Sequence, residues 1–232
     1  MSPLKACVMY TGGKDSCYSL HWAVYHGLEV ECLLTVKASS WDSRLFHYPG
    51  HELVRLHGEA LGLPVEVVEA PMPREEEELR TLRRLFAIAR REYGAEIILS
   101  GALLSDYQRL LFSIAAWREG LHVLTPLWRK SQEEYMRSLV REGFKILILS
   151  VQAYGLPPTY VGRVLDEKLV EDIIRRARIY GFNPAFEGGE AETLVLDAPL
   201  FRRRLVIEGS VVRLGPEHYM LRVEAARLVD KA

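Results

Sequence analysis

Between residues 10 and 16 the chain reads Tyr10-Thr11-Gly12-Gly13-Lys14-Asp15-Ser16, residue types suited to holding phosphate. The apolar run before it, Leu4 to Met9, reads as a buried strand, and after it Cys17, Leu20 and Val24 recur at helical spacing. A strand that turns through glycines into a helix presents backbone N–H groups at the helix start, where the positive end of the helix dipole also attracts anions. Gly12 and Gly13 permit positive φ and put no Cβ between backbone and phosphate. Lys14 adds a point charge and Ser16 a hydroxyl. Asp15 suits an anion site only if it caps the helix or holds a cation, and Mg²⁺ is the cation that travels with phosphates. The plainer alternative is a glycine turn that merely joins a strand to a helix. The loop is not a Walker A motif, because Asp15 follows Gly13-Lys14 where Ser or Thr is required and the upstream glycine is missing.

A second concentration of chemistry lies at Phe186-Glu187-Gly188-Gly189-Glu190-Ala191-Glu192-Thr193, three carboxylates around paired glycines ahead of the apolar Leu194-Val195-Leu196. An exposed loop would tolerate such charges. Carboxylates flanking paired glycines equally suit a backbone held close to a ligand, such as Mg²⁺ or ammonium. Both readings stand on chemistry alone.

The elements that must position these residues alternate through the first half. Strands are expected over Val30 to Val36, Val65 to Val68 and Glu96 to Ser100. Helices are expected around Leu53 to Leu61, from the Glu75 to Glu78 run through Ala89, and from Ser105 through Arg118, where Ser105-Asp106-Tyr107-Gln108 fits a capping box. The Glu75 to Glu78 run reads as first-turn charge on a solvated helix face. This βαβα order predicts a doubly wound, mainly parallel sheet over residues 1–124, with ligand bound where strand order reverses beside the first strand. If the fourth strand neighbours the first, Gly101 and Asp106, with Tyr107, Gln108 and Arg109, face the same crevice as Gly12 and Gly13. The alternative is that Ser105 and Asp106 only cap a helix. The aperiodic stretch from Lys37 to Gly50 reads as a lid over the nucleotide, leading to His51 at the next helix.

Over residues 125–232 a smaller α+β domain is expected, assigned to substrate binding. It has helices at Gln132 to Arg141 and Asp166 to Tyr180, strands at Ile146 to Val151 and Leu194 to Leu196, and short strands around a turn at Glu208-Gly209.

The bulk numbers bound the function. The 232 residues carry 30 basic and 31 acidic side chains, for a net charge of −1. That balance argues against a general nucleic-acid binder. No apolar run approaches the ~20 residues of a membrane span. The first strand begins almost at the N-terminus, so no signal peptide and a cytoplasmic location are expected. Cys7, Cys17 and Cys32 read as small buried hydrophobes in a reducing compartment rather than as a disulfide, zinc site or nucleophile. Homo-oligomerisation is compatible with the sequence.

The phosphate loop resembles that of the ATP pyrophosphatases, usually Ser-Gly-Gly-x-Asp-Ser, with Thr11 in place of the first Ser. With Gly50-His51-Glu52, Gly101-Ala102-Leu103-Leu104-Ser105-Asp106-Tyr107-Gln108-Arg109, Gly155-Leu156, Val161-Gly162-Arg163, Glu187 to Thr193 and Leu196-Asp197-Ala198-Pro199, the chain resembles the diphthine–ammonia ligase family over nearly its whole length. The resemblance implies ATP-dependent amidation of the diphthine carboxylate on elongation factor 2, through an acyl-adenylate, with ammonium as nitrogen donor and AMP and pyrophosphate as products. ATP and Mg²⁺ are the implied cofactors. Tyr10, Thr11, Gly12, Gly13, Lys14, Asp15, Ser16 and Gly101 would hold the nucleotide, with Asp15 on the metal. Lys14, Asp106, Arg109, Glu187 and Glu190 would act in catalysis, and Tyr107, Gln108, Gly188, Gly189, Glu192 and Thr193 would meet the substrate. Two segments depart from the family pattern: Ala191 stands where Tyr is usual, and Leu110-Leu111-Phe112-Ser113 replaces a polar run. The rival readings are another ATP pyrophosphatase chemistry, on tRNA or a small-molecule acid, and a nucleotide-binding module without catalysis. The charge balance and lack of a cysteine pair weigh against tRNA sulfur transfer. A mere module would need neither Asp15 nor the acidic segment.

Overall fold

The computed structural model describes residues 2–38, 51–70 and 75–231. The chain forms two compact units, Met1–Trp128 and Arg129–Ala232. The first runs β1 (Lys5–Met9), α1 (Lys14–Tyr25), β2 (Glu29–Ala38), α2 (His51–Leu61), β3 (Val65–Ala70), α3 (Glu75–Tyr93), β4 (Ile97–Leu99), α4 (Asp106–Arg118) and β5 (His122–Leu124). Its sheet is ordered β3-β2-β1-β4-β5, with every pairing parallel. The central strands are apolar along their length because helices cover both faces of such a sheet. Ala6, Cys7, Val8, Ile98 and Leu99 are all fully buried. One face packs on Leu82, Leu85, Phe86 and Ala89 of α3 and on Leu111, Phe112, Ala115 and Ala116 of α4. Strand β1 lies between β2 and β4, the condition set for Gly101 to face Gly12 and Gly13, and the order reverses beside it. The Lys37 to Gly50 lid lies almost wholly outside the described residues, apart from Lys37 and Ala38 at the end of β2.

Three features of the first unit depart from the sequence reading. The edge strand β5 was not foreseen; it spans three residues, of which His122 and Leu124 are exposed, too short to show a period. Glu78 is not on a solvated face: it is 4% exposed and its Oε2 accepts a 2.8 Å hydrogen bond from the Tyr107 hydroxyl. Cys7 and Cys32 sit opposite each other in the β1–β2 register, with Cα atoms 4.9 Å apart, and are joined as a disulfide that leaves out the buried Cys17. Parallel register put the two side chains together, which composition alone does not reveal.

The second unit comprises α5 (Gln132–Arg141), β6 (Lys145–Val151), α6 (Glu167–Tyr180), β7 (Ala191–Asp197), β8 (Arg203–Arg213) and β9 (Tyr219–Asp230), its antiparallel sheet ordered β7-β6-β9-β8. Its helix boundaries follow local chemistry. Ser131 and Asp166 cap α5 and α6 by accepting the amides of Glu134 and Leu169, and Gly181 ends α6 at φ 80°. The turn expected at Glu208-Gly209 is instead a bulge inside the continuous strand β8. A Cβ on Gly209 would fall 2.2 Å from the Arg222 carbonyl oxygen, so glycine here admits the partner strand.

The segment Gly155 to Arg163 is tied to α6 through Asp172. The Tyr160 hydroxyl donates to Asp172, as do Arg175 and Arg176, and Arg176 also donates to the Gly155 carbonyl at 3.3 Å. The Tyr160 hydroxyl, with the two guanidiniums, holds the Asp172 carboxyl down at about 2. An unfolded aspartate titrates near ~3.9, so this contribution is complete above about pH 4 and is lost as pH falls toward 2. We expect Asp172→Asn to cost about 1–2 kcal/mol at neutral pH, the Coulombic part being screened at this partly exposed site. In urea titrations the gap to the parent protein should shrink below pH 4; a constant gap would show that the carboxylate charge is not what ties this segment. For the disulfide, thiol titration of the denatured, unreduced protein should find Cys17 alone, and three titrating thiols would exclude the Cys7–Cys32 bond.

Candidate active site

The phosphate loop is built as a self-bonded turn at the carboxyl end of β1. Gly12 takes φ 82°, which an L side chain rarely adopts. Gly13, extended at φ −77° and ψ 169°, is the N-cap of α1 and brings no side chain to the helix end. Thr11 and Ser16 clasp the turn: Ser16 Oγ accepts from the Thr11 amide at 3.2 Å and donates to the Gly13 carbonyl at 3.2 Å, and the two hydroxyls lie 3.3 Å apart. The Gly13 amide points back to Thr11 Oγ1 at 3.4 Å. The turn is thus fixed by its own hydroxyls before any ligand arrives.

Lys14 is 3% exposed, and its ammonium donates to Asp15 Oδ2 at 2.9 Å. A buried ammonium beside a helix N-terminus is costly unless an anion accompanies it. Asp15 supplies one charge here, and phosphate would supply more. Tyr10, expected at the nucleotide, is instead buried. Its hydroxyl lies 2.9 Å from His57 Nδ1 in α2, and burial pushes that hydroxyl well up, so Tyr10 serves the loop by packing. Among the described residues no three His, Cys, Asp or Glu side chains gather as a metal cluster. A lone carboxylate suits Mg²⁺, which keeps waters and substrate phosphates as its other ligands.

The segment after β4 meets this loop directly. A Cβ on Gly101 would lie 2.7 Å from the Asp15 carbonyl carbon and 2.9 Å from the Ser16 amide nitrogen. Both contacts are backbone, so glycine is required for the two loops to touch. Ser105 then caps α4, its Oγ accepting from the Gln108 amide at 3.2 Å. Asp106 is exposed and pairs with Arg109 at 3.3 Å, while the Arg109 guanidinium lies 4.7 Å over the Trp128 ring. Arg109 Nε is buried with no hydrogen-bond partner among the described residues. The reading from sequence missed two residues here, Glu78 beneath Tyr107 and Trp128 beneath Arg109. Glu78 had a signal: it is four residues before Leu82 and seven before Leu85, on the buried face of α3.

The acidic segment lies in the second unit. Glu190 accepts the Asn183 amide on Oε1 and the Gly188 amide on Oε2, both at 2.8 Å, and so clamps the loop from 183 to 190. This differs from the expected proton acceptor, since its two oxygens are already engaged with backbone. A Cβ on Gly188 would sit 2.7 Å from Glu190 Oε1, and Gly189 takes φ 80°. Glu192 and Thr193 belong to β7, with the Glu192 amide donating to Ser150 Oγ at 3.3 Å and Thr193 buried. Glu187 is half-buried in the turn, and Ala191 is buried opposite Val151.

A family model described as the diphthamide synthase N-terminal domain matches residues 4–123, and one described as the diphthamide synthase C-terminal domain matches residues 131–227. The diphthine–ammonia ligase of Homo sapiens is 29% identical over 227 residues, covering 90% of this chain and 85% of that protein. That of Schizosaccharomyces pombe is 31% identical over 219 residues, covering 88% of this chain and 36% of a longer protein. A solved structure described as a predicted subunit of tRNA methyltransferase from Methanocaldococcus jannaschii superposes on 84% of this chain and 98% of its own, with TM-score 0.47 and 17% identity.

The contact at Gly101 can be tested alone. Gly101→Ala must push the β4–α4 loop off the backbone of Asp15 and Ser16, a displacement costing about 1–3 kcal/mol. We expect lower thermal stability and at least tenfold weaker ATP binding by calorimetry. Unchanged ATP affinity would show that the loop contact does not shape the nucleotide site.

Proposed function

Because the chain belongs to the diphthamide synthase family, we propose that it is an ATP-dependent ligase that amidates the diphthine carboxylate on elongation factor 2. The observation that carries the nucleotide half of this reading is the self-clasped Gly12-Gly13 turn at an α1 N-terminus without a side-chain cap, beside the buried Lys14. The relatives it matches over most of its length carry the name diphthine–ammonia ligase, which supplies the acceptor.

A carboxylate does not yield to ammonia directly, because oxide would have to leave. In the proposed reaction one carboxylate oxygen attacks the α-phosphorus of ATP, the bond to the β-phosphate oxygen breaks, and pyrophosphate departs. Ammonia then attacks the acyl carbon, AMP leaves with the oxygen that formed the mixed anhydride, and the nitrogen sheds a proton. The Gly12–Ser16 turn, the α1 N-terminus and Lys14 hold the pyrophosphate, where charge grows as the bond breaks and their stabilisation counts most. Asp15 would hold Mg²⁺, which supplies charge neutralisation on the phosphates. Gln108 and Arg109 flank the acceptor, while Tyr107, its hydroxyl held by Glu78, secures the start of α4. Glu187 and Glu192 attract ammonium and take its proton, while Glu190, with Gly188 and Gly189, keeps their loop in shape.

Purified protein with ATP, Mg²⁺, ammonium and diphthine-bearing elongation factor 2 should release AMP and pyrophosphate while the acceptor loses about one mass unit. Lys14→Ala should lower kcat by about 10²–10³-fold, the usual loss when one preorganised group facing developing charge is removed. AMP formation only with a different acceptor would keep the ATP chemistry and overturn the substrate. Tight ATP binding without any turnover would point to a nucleotide-binding module instead.

A further inference from the structure

Helix α4 carries two faces of opposite use. Leu111, Phe112, Ala115 and Ala116 pack into the core, whereas Trp117 is 78% exposed, Leu110 52%, Ile114 44% and Tyr107 39%. Positions 107, 110, 114 and 117 share one helical stripe, so these are not scattered surface hydrophobes but a continuous band about 15 Å long. From side chains of this size the band presents about 450 Å² of surface, in the upper range of the largest apolar patch on a typical monomer.

We propose that this band is a homodimer interface, covered by α4 of a second copy of the chain packed antiparallel about a two-fold axis. The spacing selects that partner. Tyr107 and Trp117 are each five residues from Phe112, and Leu110 and Ile114 are each two residues from it. An antiparallel two-fold at the level of Phe112 therefore sets Tyr107 opposite the partner's Trp117 and Leu110 opposite the partner's Ile114, the self-complementarity that an isologous contact needs. The charges agree with it: α4 has Asp106 in its first turn and Arg118 in its last. Antiparallel packing brings the acidic end of one helix to the basic end of the other and opposes the helix dipoles favourably. The two bands together account for about 900 Å², and a rim including Asp106, Ser113 and Arg118 carries the total past the roughly 1,000 Å² that a specific interface requires.

Sedimentation equilibrium of the full chain over a hundredfold concentration range tests this. The parent protein should weigh twice its chain mass. Ile114→Lys and Trp117→Glu should each weaken dimerisation at least tenfold, with unchanged far-ultraviolet circular dichroism and unfolding temperature, since neither side chain is in the core. For the register, mixing a Leu110→Cys chain with an Ile114→Cys chain under mild oxidation should crosslink the two different chains in preference to like ones. A monomeric parent protein, or a dimer indifferent to both charge substitutions, would overturn the proposal, and preferential crosslinking of like chains would overturn the antiparallel pairing.

Discussion

The contact on which the first unit depends is backbone against backbone, where Gly101 meets Asp15 and Ser16. It exists because β1 and β4 are adjacent, so the loops that leave their carboxyl ends emerge side by side. A phosphate loop alone is a common device. Here the loop is held from inside by the Thr11 and Ser16 hydroxyls and from outside by the β4–α4 turn, so its shape is set without a ligand. Preorganisation of that kind means the protein does not spend binding energy on arranging the turn. It also links the start of α4 to the Gly12–Ser16 turn without any side chain in between. The start of α4, with Gln108 and Arg109, is therefore set at a fixed distance from the Gly12–Ser16 turn by the sheet itself.

Much of this was legible in the sequence because the signals were local. The strand–glycine–helix succession at residues 4–25, the Ser105 cap, the Asp166 cap and the Gly181 stop all depend on residues within a few positions of one another. The parallel, doubly wound sheet followed from the alternation of elements, whereas the neighbouring of β1 and β4 was only a condition in the sequence, one the sheet order meets. What escaped depended on partners distant in the chain. No pattern near Cys7 announces that Cys32 will face it across a parallel register. The bulge at Gly209 is required by the carbonyl of Arg222, and a glycine after Glu looks the same whether it turns a hairpin or admits a neighbour. The four glutamates from 75 to 78 share a charge but not an environment, and only the helical phase carries Glu78 inside.

The candidate site was legible as a set of residues and less so as a set of tasks. Tyr10 belongs to the motif, yet its ring packs on His57 and supports the loop from below. Arg109 was nominated for its charge, but the structure also sets its guanidinium 4.7 Å over the Trp128 ring, with Nη2 on Asp106 and Nε buried. Motif membership identifies a position that the fold needs. Whether the side chain touches a ligand or a neighbour depends on which way the local backbone turns it.

The acidic segment makes the same division within six residues. Phe186 holds φ 65°, which is uncommon for a bulky side chain, yet it is buried, and its carbonyl accepts the Gly189 amide. A strained residue of this kind persists only when its surroundings over-determine it. Glu190 is the group that does so, because its two oxygens accept amides at both ends of the loop, Asn183 and Gly188. An amide side chain there would leave one backbone donor without an acceptor, at about 1–3 kcal/mol. The carboxylates are thus unequal despite their proximity in sequence. One is consumed in shaping a strained turn, and that turn displays Glu187 just before the paired glycines and delivers Glu192 into the first residues of β7. The segment's charge and its shape are thus carried by different carboxylates, and the one that secures the shape is Glu190.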